Sequence, residues 1–420
     1  MKKANGLFIL MDLLLIVIFI EAVFPPVTLI VNPMVVTLLC LIAWCALSFL
    51  RDPYFYLNFE KNIRILYPML FLVISIVVPY IFDNGIIGNR YASLALLPMG
   101  YIIFNYYDKH GKLNRLKRVV YVAIAFASVT FVRTLIALIE NPNICRTIKS
   151  EGAYTEGLYR QGIAGYSFVY FIALCSIVVL NIAIKEYKTK TTLPLLGLYV
   201  LMAYFVLKSN YVTALLIVAL GAAILLVAEF INRKKIGVVL FLFIAGIFVV
   251  SYQNEIINTL SFLIPERIAD VIVVGDGSIF KSFVDEFMYD RFPVMKSSID
   301  AYVENPVGGL VINEKINTSG GFLEGFGQHS HIVDTFALYG TTIGILNLFV
   351  ITRPFRNNRG RFVSNNVPLT VAMMVAIFVV LLFNNTTDAI ALAFTIIYPL
   401  ARDYNRTRNL PYMAKERQVK

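Results

Sequence analysis

Charged side chains are scarce in this sequence: they make up 15% of its 420 residues, whereas hydrophobic residues make up 58%. The mean hydropathy is +0.73. Because a soluble globular domain of this length carries far less apolar material, the composition excludes that class and indicates a polytopic membrane protein. The apolar runs are continuous rather than alternating, which favours helices over a barrel, so the predicted fold class is all-α.

Cysteine and histidine are also scarce, with four and three copies. Three cysteines lie inside apolar runs and one lies in a polar loop, which predicts buried thiols rather than a disulfide framework. They are Cys40, Cys45, Cys175 and, in the loop, Cys145. The sequence contains no Walker A motif, no Cys/His metal spacing and no Gly-x-Ser-x-Gly. ATP hydrolysis, structural zinc and serine hydrolysis therefore have no support, and we expect neither a metal nor a cofactor.

The first apolar run begins after Lys2 and Lys3 and is followed by Pro25 and Pro26. No small-residue cleavage site follows it, so we interpret it as a retained first helix rather than a signal peptide. About 12 runs are long enough, or nearly so, to cross a bilayer core. In chain order they are 7–24, 33–50, 66–82, 91–107, 119–139, 163–184, 193–207, 212–231, 236–251, 332–352, 367–383 and 384–401.

Basic residues predict the orientation of these runs. Every second connection is basic, from Lys2 and Lys3 to the tail after Arg402. The positive-inside rule places these connections and both termini in the cytoplasm, which requires an even number of spans. The net charge of +11 follows from this pattern, and no basic patch interleaved with aromatic residues indicates nucleic-acid binding. The predicted organisation is transmembrane helices 1–9 in residues 1–251, a large extracytoplasmic loop in residues 252–331, helices 10–12 in residues 332–401 and a basic cytoplasmic tail in residues 402–420.

Several basic residues nevertheless fall on the predicted outer side. Arg133 lies inside the fifth span, roughly one to two turns from its outer end at about 1.5 Å per residue. An arginine inside a span indicates a functional site, and the alternative is a side chain that snorkels to the interface or pairs with an acid. Arginine forks suit an anionic ligand such as a diphosphate. The other basic residues predicted on this side are Arg90, Arg160, Lys208, Arg267 and Arg291.

The large loop has the pattern of an amphipathic helix from Ser278 to Asn305. Asn305-Pro306, followed by Gly308-Gly309, is predicted to end it. We expect its apolar stripe to pack against the membrane domain or to lie on the lipid surface. The stripe consists of Phe283, Phe287, Met288, Val294, Met295, Ile299 and Tyr302.

Two of the three histidines, His329 and His331, directly precede the apolar run that follows the loop. This position predicts imidazoles at the outer interface, where histidine is suited to transfer a proton near neutral pH. Asp334 lies on the helical face of His331 and is predicted to orient its ring. Ordinary interfacial histidines that bond loop carbonyls are the alternative. His110, in a basic inner loop, is expected to be solvated surface.

The order of these residues resembles the signature of the O-antigen polymerase and ligase superfamily. The resemblance rests on Arg291, Pro306-Val307-Gly308-Gly309, His329-Ser330, and Gly340 with Gly344. A second, weaker similarity is Lys208-Ser209-Asn210, where the family often has serine followed by arginine. The specific part covers about 55 residues between Arg291 and Gly344. Two positions depart from the family: Ser330 replaces the usual asparagine, and no basic residue follows Ser209.

The resemblance implies an integral membrane protein of about a dozen helices with one large, partly helical external loop. It implies glycosyl transfer at the outer leaflet of a bacterial plasma membrane. The donor would be an oligosaccharide joined through diphosphate to a polyprenyl lipid, and a sugar hydroxyl of a second lipid-linked unit would attack its anomeric carbon. The outward arginines would stabilise the leaving diphosphate, and His329 or His331 would accept or position the proton of the attacking hydroxyl.

These expectations favour a polymerase of capsule, exopolysaccharide or O-antigen repeat units, with a chain-length regulator and a flippase of the same pathway as partners. A ligase that transfers a finished glycan to another acceptor would use the same chemistry. A secondary transporter or flippase of lipid-linked sugars is the alternative from another class. That class predicts charges near mid-membrane, discontinuous helices and paired halves. Here the charges gather at the predicted outer face, and only Arg133 lies well inside a span.

Overall fold

The computed structural model describes residues 2–30, 32–57, 59–148, 153–186, 189–232, 292–319, 322–356 and 366–402. Within these ranges the protein is a bundle of helices joined by short connections. The helices are α1 (Lys2–Val23), α2 (Pro33–Arg51), α3 (Tyr54–Leu57), α4 (Phe59–Ile81), α5 (Gly85–Ser93), α6 (Leu96–Lys109), α7 (Leu113–Glu140), α8 (Ile144–Thr147), α9 (Ala153–Arg160), α10 (Tyr166–Lys185), α11 (Thr192–Lys208), α12 (Val212–Asn232), α13 (Phe292–Glu304), α14 (Gly309–Asn313), α15 (His331–Thr352), α16 (Val367–Phe383), α17 (Asp388–Leu392) and α18 (Tyr398–Arg402). Smaller elements are the 3-10 turns Pro25–Leu29 and Arg353–Phe355, a π-helical segment Ala393–Ile397, and the antiparallel pair β1 (Thr318–Ser319) and β2 (Phe322–Leu323).

Six of the described helices are long and apolar enough to cross a membrane. They are Gly6–Val23, Met34–Arg51, Leu113–Glu140, Tyr166–Lys185, Val212–Asn232 and His331–Phe355. Three shorter apolar helices accompany them, namely Ile65–Ile81, Thr192–Lys208 and Val367–Phe383. The prediction of a helical membrane protein is confirmed at this level. The predicted run 236–251 and the predicted loop up to residue 291 lie outside the described residues.

Side-chain caps determine where several of these helices begin. Asn32, Ser330 and Asn366 each precede a helix, and each side chain accepts a backbone N–H of its first turn. In α2 and α16 a proline also occupies the first turn. A cap satisfies one of the orphan N–H groups of a helix start, and proline at this point has no N–H that needs a partner. These starts agree with the predicted runs 33–50, 332–352 and 367–383 to within one residue.

The predicted single span 91–107 is wrong in its continuity. The chain forms α5, turns at Leu94 and Ala95, and restarts as α6. Pro98 stands in the first turn of α6, where a missing N–H is tolerated, and it could not continue a helix arriving from α5 without losing a hydrogen bond. The break places the α5 residue Tyr91 in the interior, where it is 4% exposed.

The last predicted run, 384–401, also begins differently. Asn384 closes α16 in an extended conformation, and the new helix starts only at Asp388, capped by the side chain of Thr387. Residues 384–387 are therefore a polar connection rather than the first turn of a span. Two of these residues, Asn384 and Asn385, recur below in the site.

One end of the bundle gathers most of the polar residues that concern function. The close of α1, the start of α10 and the start of α17 line one cavity, and the start of α15 bonds the connection before α17. We call this end the predicted outer end, because the charge pattern places it outside. The opposite end, which carries the basic connections, is called the basic end.

At the basic end, cations pair with acids. Arg115 lies 2.6 Å from Asp12, and Lys109 lies 2.7 Å from Asp52. The expectation that His110 is solvated surface is wrong, since its Nε2 lies 3.3 Å from Asp52 and its side chain is only 20% exposed. Burial, reinforced by nearby cations such as Arg51, lowers the pKa of His110. This histidine is therefore a packed structural group.

The buried face of the loop helix α13 is shifted relative to the predicted apolar stripe. The helix ends at Glu304, as predicted, but its buried residues are Ser298 and Ala301, whereas Ile299 is 40% exposed. Tyr302 stacks edge-on against a phenylalanine of α15 at 5.5 Å between ring centroids. Packing against the membrane domain is thus confirmed for this segment, although the predicted stripe is wrong by one position at Ile299. The residues of the stripe before 292 lie outside the described part.

Candidate functional site

A buried hydrogen-bonded cluster fixes the start of α15. Ser330 caps the helix by accepting the N–H of Val333, and its own N–H donates to the Asp334 carboxylate at 3.2 Å. The other Asp334 oxygen accepts the Ser298 hydroxyl of α13 at 2.7 Å. Ser298 in turn accepts the N–H of Gly327 at 2.8 Å. The cluster ties the loop helix α13 to α15, the helix that carries His331, and a carboxylate in a first turn is favoured by the helix dipole.

These contacts give Asp334 a structural role at the helix start. Its carboxylate is 3% exposed and accepts hydrogen bonds from Ser298 and Ser330. The proposed orientation of the His331 ring by Asp334 stays a prediction. The hydrogen bond that the structure gives the ring itself goes to another residue, Asn347.

The sequence predicts His331 at the outer interface. In the structure the residue is buried, and only 2% of it is exposed. Its Nε2 lies 3.3 Å from Oδ1 of Asn347, and the Asn347 amide donates to Thr335 at 3.1 Å. The Tyr91 hydroxyl, from the unexpected short helix α5, lies 2.8 Å from the same Thr335 hydroxyl. His329, by contrast, is exposed. The two histidines therefore differ in exposure, and the buried His331 has Asn347, Thr335 and Tyr91 among its described polar neighbours.

This arrangement selects a tautomer of His331. Because the Asn347 amide nitrogen donates to Thr335, its Oδ1 acts as an acceptor toward the ring. A neutral His331 then carries its hydrogen on Nε2 and its lone pair on Nδ1. The ring nitrogen that can take up a proton is therefore Nδ1.

The connection between α16 and α17 links His331 to the central helix α10. The backbone N–H of His331 donates to the Asn384 carbonyl at 3.2 Å, and the Tyr170 hydroxyl of α10 donates to the Asn384 side chain at 3.3 Å. Asn385 bonds the carbonyl of Gln328 at 2.5 Å. Helices distant in sequence thus meet at this short polar connection.

Two aromatic contacts connect Tyr170 to a cation, the Arg146 guanidinium. The Tyr170 ring lies 6.1 Å from the Tyr211 ring, and the Arg146 guanidinium lies 4.7 Å from the centroid of Tyr211. Arg146 donates to the Asn210 carbonyl at 2.7 Å, and the Tyr211 hydroxyl donates to the Cys145 carbonyl at 3.2 Å. Burial raises the pKa of the Tyr211 phenol, so it stays protonated as a donor.

Arg146 is a residue that sequence reasoning missed. It lies in the predicted outer connection between residues 140 and 162, where the positive-inside rule makes basic residues unusual. A basic residue on the predicted outer side is an exception to that rule, and the same exception singled out Lys208, so it could have identified Arg146. Lys208 ends α11 two residues before Asn210, whose carbonyl accepts the Arg146 hydrogen bond. The Lys208 ammonium lies 5.9 Å from the Tyr204 ring.

Arg133 and Arg160 meet at another connection of the predicted outer end. Arg133 is exposed and donates to the Gln161 carbonyl at 2.9 Å, next to Arg160, which is also exposed. Arg133 and Glu140 line one cleft of about 330 Å³ beside α9. The acid two turns along the helix lowers the positive potential of this cleft. Arg133 thus reaches the surface connection, as the snorkelling alternative expects, and faces a cleft that a ligand can enter.

The remaining predicted cations cannot be placed in this arrangement. Arg267 and Arg291 lie outside the described residues, and for Arg90 the structure describes only the backbone, within α5. A shared cavity for Arg291 and His329 therefore stays a prediction.

Three glycines of the motif region form one backbone contact. Gly308 and Gly309 have φ values of 113° and 66°, and Gly340 interrupts α15 with a φ of 72°. The N–H of Thr341 donates to the Pro306 carbonyl at 2.9 Å. A Cβ on Gly340 would lie 2.5 Å from the Gly308 nitrogen and 2.8 Å from the Pro306 oxygen. The turn at Pro306 thus docks onto a kink of α15 that only glycine permits.

Comparison with known proteins gives no match to a protein-family model, to a curated protein or to a solved structure. Among the residues that the structure describes, no group of three or more histidine, cysteine or acidic side chains is placed to hold a metal ion. A function must therefore be argued from the chain's own residues and their geometry.

Proposed function

We propose that this protein is a membrane glycosyltransferase that joins lipid-linked repeat units of a bacterial polysaccharide at the outer leaflet of the plasma membrane. The donor is a polyprenyl-diphosphate-linked oligosaccharide, and the acceptor is a sugar hydroxyl of another lipid-linked unit. The observation that carries the proposal is the network around His331, which reaches Arg146 through Asn384 and two tyrosine rings. A proton acceptor and a cation are the groups that this reaction needs most.

In the proposed reaction the acceptor oxygen bonds to the anomeric carbon of the donor while the bond from that carbon to the diphosphate oxygen breaks. The hydroxyl proton passes to Nδ1 of His331, and such base assistance contributes about 10²–10⁴ in rate. Negative charge develops on the departing diphosphate. Arg146 and Lys208 stabilise it, and Arg133 and Arg291 serve as further diphosphate ligands.

An apolar groove supports binding of a prenyl chain. It has a volume of about 270 Å³ and lies between α7, α10, α11 and α18. Apart from Lys117 at one end, its lining is almost wholly hydrocarbon, for example Ala127, Phe131 and Val178. Burial of an isoprenoid chain there would remove apolar surface from both partners, at roughly 25 cal/mol per Å². The groove passes along α10, the helix that carries Tyr170.

The proposal includes the topology predicted from the basic residues. With twelve spans, both termini and the basic end face the cytoplasm, and the large loop faces outward. The six long and three shorter apolar helices support a multi-pass arrangement. The pairing of Arg115 and Lys109 with acids at the basic end agrees with that orientation, since an inward basic end has no need to bind an anionic donor.

A transporter or flippase of lipid-linked sugars is the second candidate, because one observation favours it. The break between α5 and α6, and the kink of α15 at Gly340, are discontinuous helices beside buried polar groups. The same breaks also serve a transferase, since they place Tyr91 and His331 together.

Purified full-length protein in liposomes with a polyprenyl-diphosphate-linked oligosaccharide tests the two candidates. The proposal expects longer lipid-linked saccharides together with released polyprenyl diphosphate. Movement of the substrate across the bilayer without a new glycosidic bond would establish the transporter instead. A deletion strain separates the two transferases, because loss of a polymerase leaves single-repeat glycolipid and loss of a ligase leaves long lipid-linked chains.

A further inference from the structure

We propose that a second polar pocket at the predicted outer end binds a sugar ring of the saccharide substrate, and that this sugar is uncharged or an amino sugar rather than a uronic acid. The inference rests on the proposed function and names its substrate class. The pocket has a volume of about 160 Å³ and lies between α1, α9, α10 and α17. Its lining includes Glu21, Asp388, Thr28, Ser167, Tyr159 and Phe168.

The two carboxylates are the first argument. Glu21 is 6% exposed and accepts the Thr37 hydroxyl at 2.8 Å. Oδ1 of Asp388 is buried and accepts no hydrogen bond from any residue that the structure describes. A buried polar atom without a partner is costly. An ionised carboxylate accepts hydrogen bonds and a protonated carboxyl group also donates one, so in either form the pocket suits a ligand rich in O–H or N–H donors. Sugar hydroxyls supply such donors.

The charge of the pocket is the second argument. Within the described ranges, neither Glu21 nor Asp388 forms an ion pair with a lysine or arginine. A third carboxylate in this dry pocket would lose its hydration without gaining a described cation, and any charge on Glu21 or Asp388 would repel it. A uronic acid is therefore disfavoured, whereas a neutral sugar or the ammonium of an amino sugar is accepted.

The aromatic walls are the third argument. Phe168 of α10, which is 2% exposed, and Tyr159 of α9 both line the pocket. A pyranose ring has an apolar C–H face and a rim of hydroxyls, so it needs aromatic faces and acceptors in one place. Serine and threonine hydroxyls, here Ser167 and Thr28, can donate or accept and so match hydroxyls that the acids do not reach.

The position of the pocket relates it to the proposed reaction centre. Phe168 lies two residues before Tyr170 on α10, a rise of about 3 Å. Asp388 lies four residues after Asn384, whose carbonyl bonds the N–H of His331, so the two Cα atoms are at most about 14 Å apart. A saccharide bound in the pocket can therefore extend a neighbouring sugar toward His331.

Saturation-transfer NMR on the purified full-length protein in detergent tests the inference without turnover. The probes are methyl glycosides of neutral, amino and uronic sugars. We expect neutral or amino glycosides to bind and uronic glycosides not to bind. Asp388→Asn should weaken binding at least tenfold, and Glu156→Gln, an exposed acid of α9 outside the pocket, should leave it unchanged.

Equal binding by wild type and Asp388→Asn would overturn the inference, as would equal binding of uronic glycosides. Displacement by sodium ions with no sugar binding would identify a cation site instead. If Asp388→Asn does not fold, as judged by its thermal midpoint, Glu21→Gln carries the same test. Sugar binding by a protein that forms no glycosidic bond would reject the proposed transferase and leave the pocket assignment standing.

Discussion

Two ion pairs at the basic end contrast with two arginine–carbonyl contacts at the predicted outer end, although Arg402 at the basic end also donates to a carbonyl and the exposed Lys315 at the outer end pairs with Asp83. At the basic end Arg115 and Lys109 contact carboxylates at 2.6 Å and 2.7 Å. At the predicted outer end Arg133 and Arg146 donate to backbone carbonyls at 2.9 Å and 2.7 Å. A carbonyl orients a guanidinium without cancelling its net charge, whereas a carboxylate does both. The carbonyl contacts therefore orient the guanidinium groups of Arg133 and Arg146 at the end of the bundle where an anionic donor is proposed to bind.

The acids show the same contrast. Asp12 and Asp52 at the basic end face cations, whereas Asp334 and Glu21 at the predicted outer end accept hydrogen bonds from serine and threonine hydroxyls. Hydroxyl donors fix the orientation of these two acids, and titratable groups held in buried polar surroundings gather at functional sites. The contrast yields predictions for both ends.

The largest expected effect is the loss of transfer on removing the buried imidazole. His331→Gln should lower glycosyl transfer in liposomes by about 10²–10⁴, because the group that accepts the hydroxyl proton is gone. His110→Gln, at the basic end, should leave transfer unchanged. His329→Gln shows which imidazole acts as the base. Wild-type product formation by His331→Gln would remove this residue from the reaction.

The next effect compares one arginine from each end. Arg146→Gln should reduce transfer by about 10²–10³, the usual consequence of removing a group that stabilises developing negative charge. Arg115→Gln should leave transfer intact but lower stability by about 1–2 kcal/mol, because it strands a partly buried Asp12. Transfer rates and thermal midpoints are measured on both variants. Loss of transfer in Arg115→Gln, with transfer intact in Arg146→Gln, would contradict the comparison of the two ends.

Gly340→Ala should destabilise the folded protein by about 1–3 kcal/mol, since it forces a side chain into a left-handed conformation against a neighbouring backbone. The Cβ would lie 2.5 Å from the Gly308 nitrogen. Gly157→Ala is the matched control, because a Cβ there meets nothing within 4 Å. Alanine in α9 should be neutral or slightly stabilising. Equal thermal midpoints for the two variants would argue against the tight turn.

The smallest effect concerns pH at the basic end. The lowered pKa of His110 means that the unfolded chain binds more protons than the folded one, so stability falls as pH decreases through about 6.5. In the wild type this contribution should lower the thermal midpoint by about 1–2 °C between pH 7.5 and pH 5.5, and His110→Gln should abolish that difference. An unchanged slope would mean that other groups, such as Asp52, carry the pH dependence.

Much of the fold was predictable because its signals are local. Apolar runs gave the positions of α2, α10 and α16, and the caps Asn32 and Asn366 fixed two starts to within one residue. The break between α5 and α6 was missed because Leu94 and Ala95 are themselves apolar. Its cause is Pro98 together with the burial of Tyr91 against α15, a contact more than 200 residues away in sequence.

The site was predictable only in part. His331 and Lys208 were found from their position and charge, but the burial of His331 depends on Asn347 and Asn384, which no local pattern connects to it. The α13 face was wrong at Ile299 for a similar reason. Ser298 is buried because its hydroxyl finds Asp334, which lies 36 residues further along the chain.

The kink at Gly340 divides α15 into a short upper segment with His331 at its tip and a longer lower segment that ends at Thr352. A continuous helix transmits a tilt along its whole length, because each peptide is bonded to the one a turn below. One left-handed residue interrupts that coupling. The direction of the upper segment is therefore set by its own contacts, from Asp334 to Ser298 and from His331 to Asn384, rather than by the tilt of the longer part beneath it.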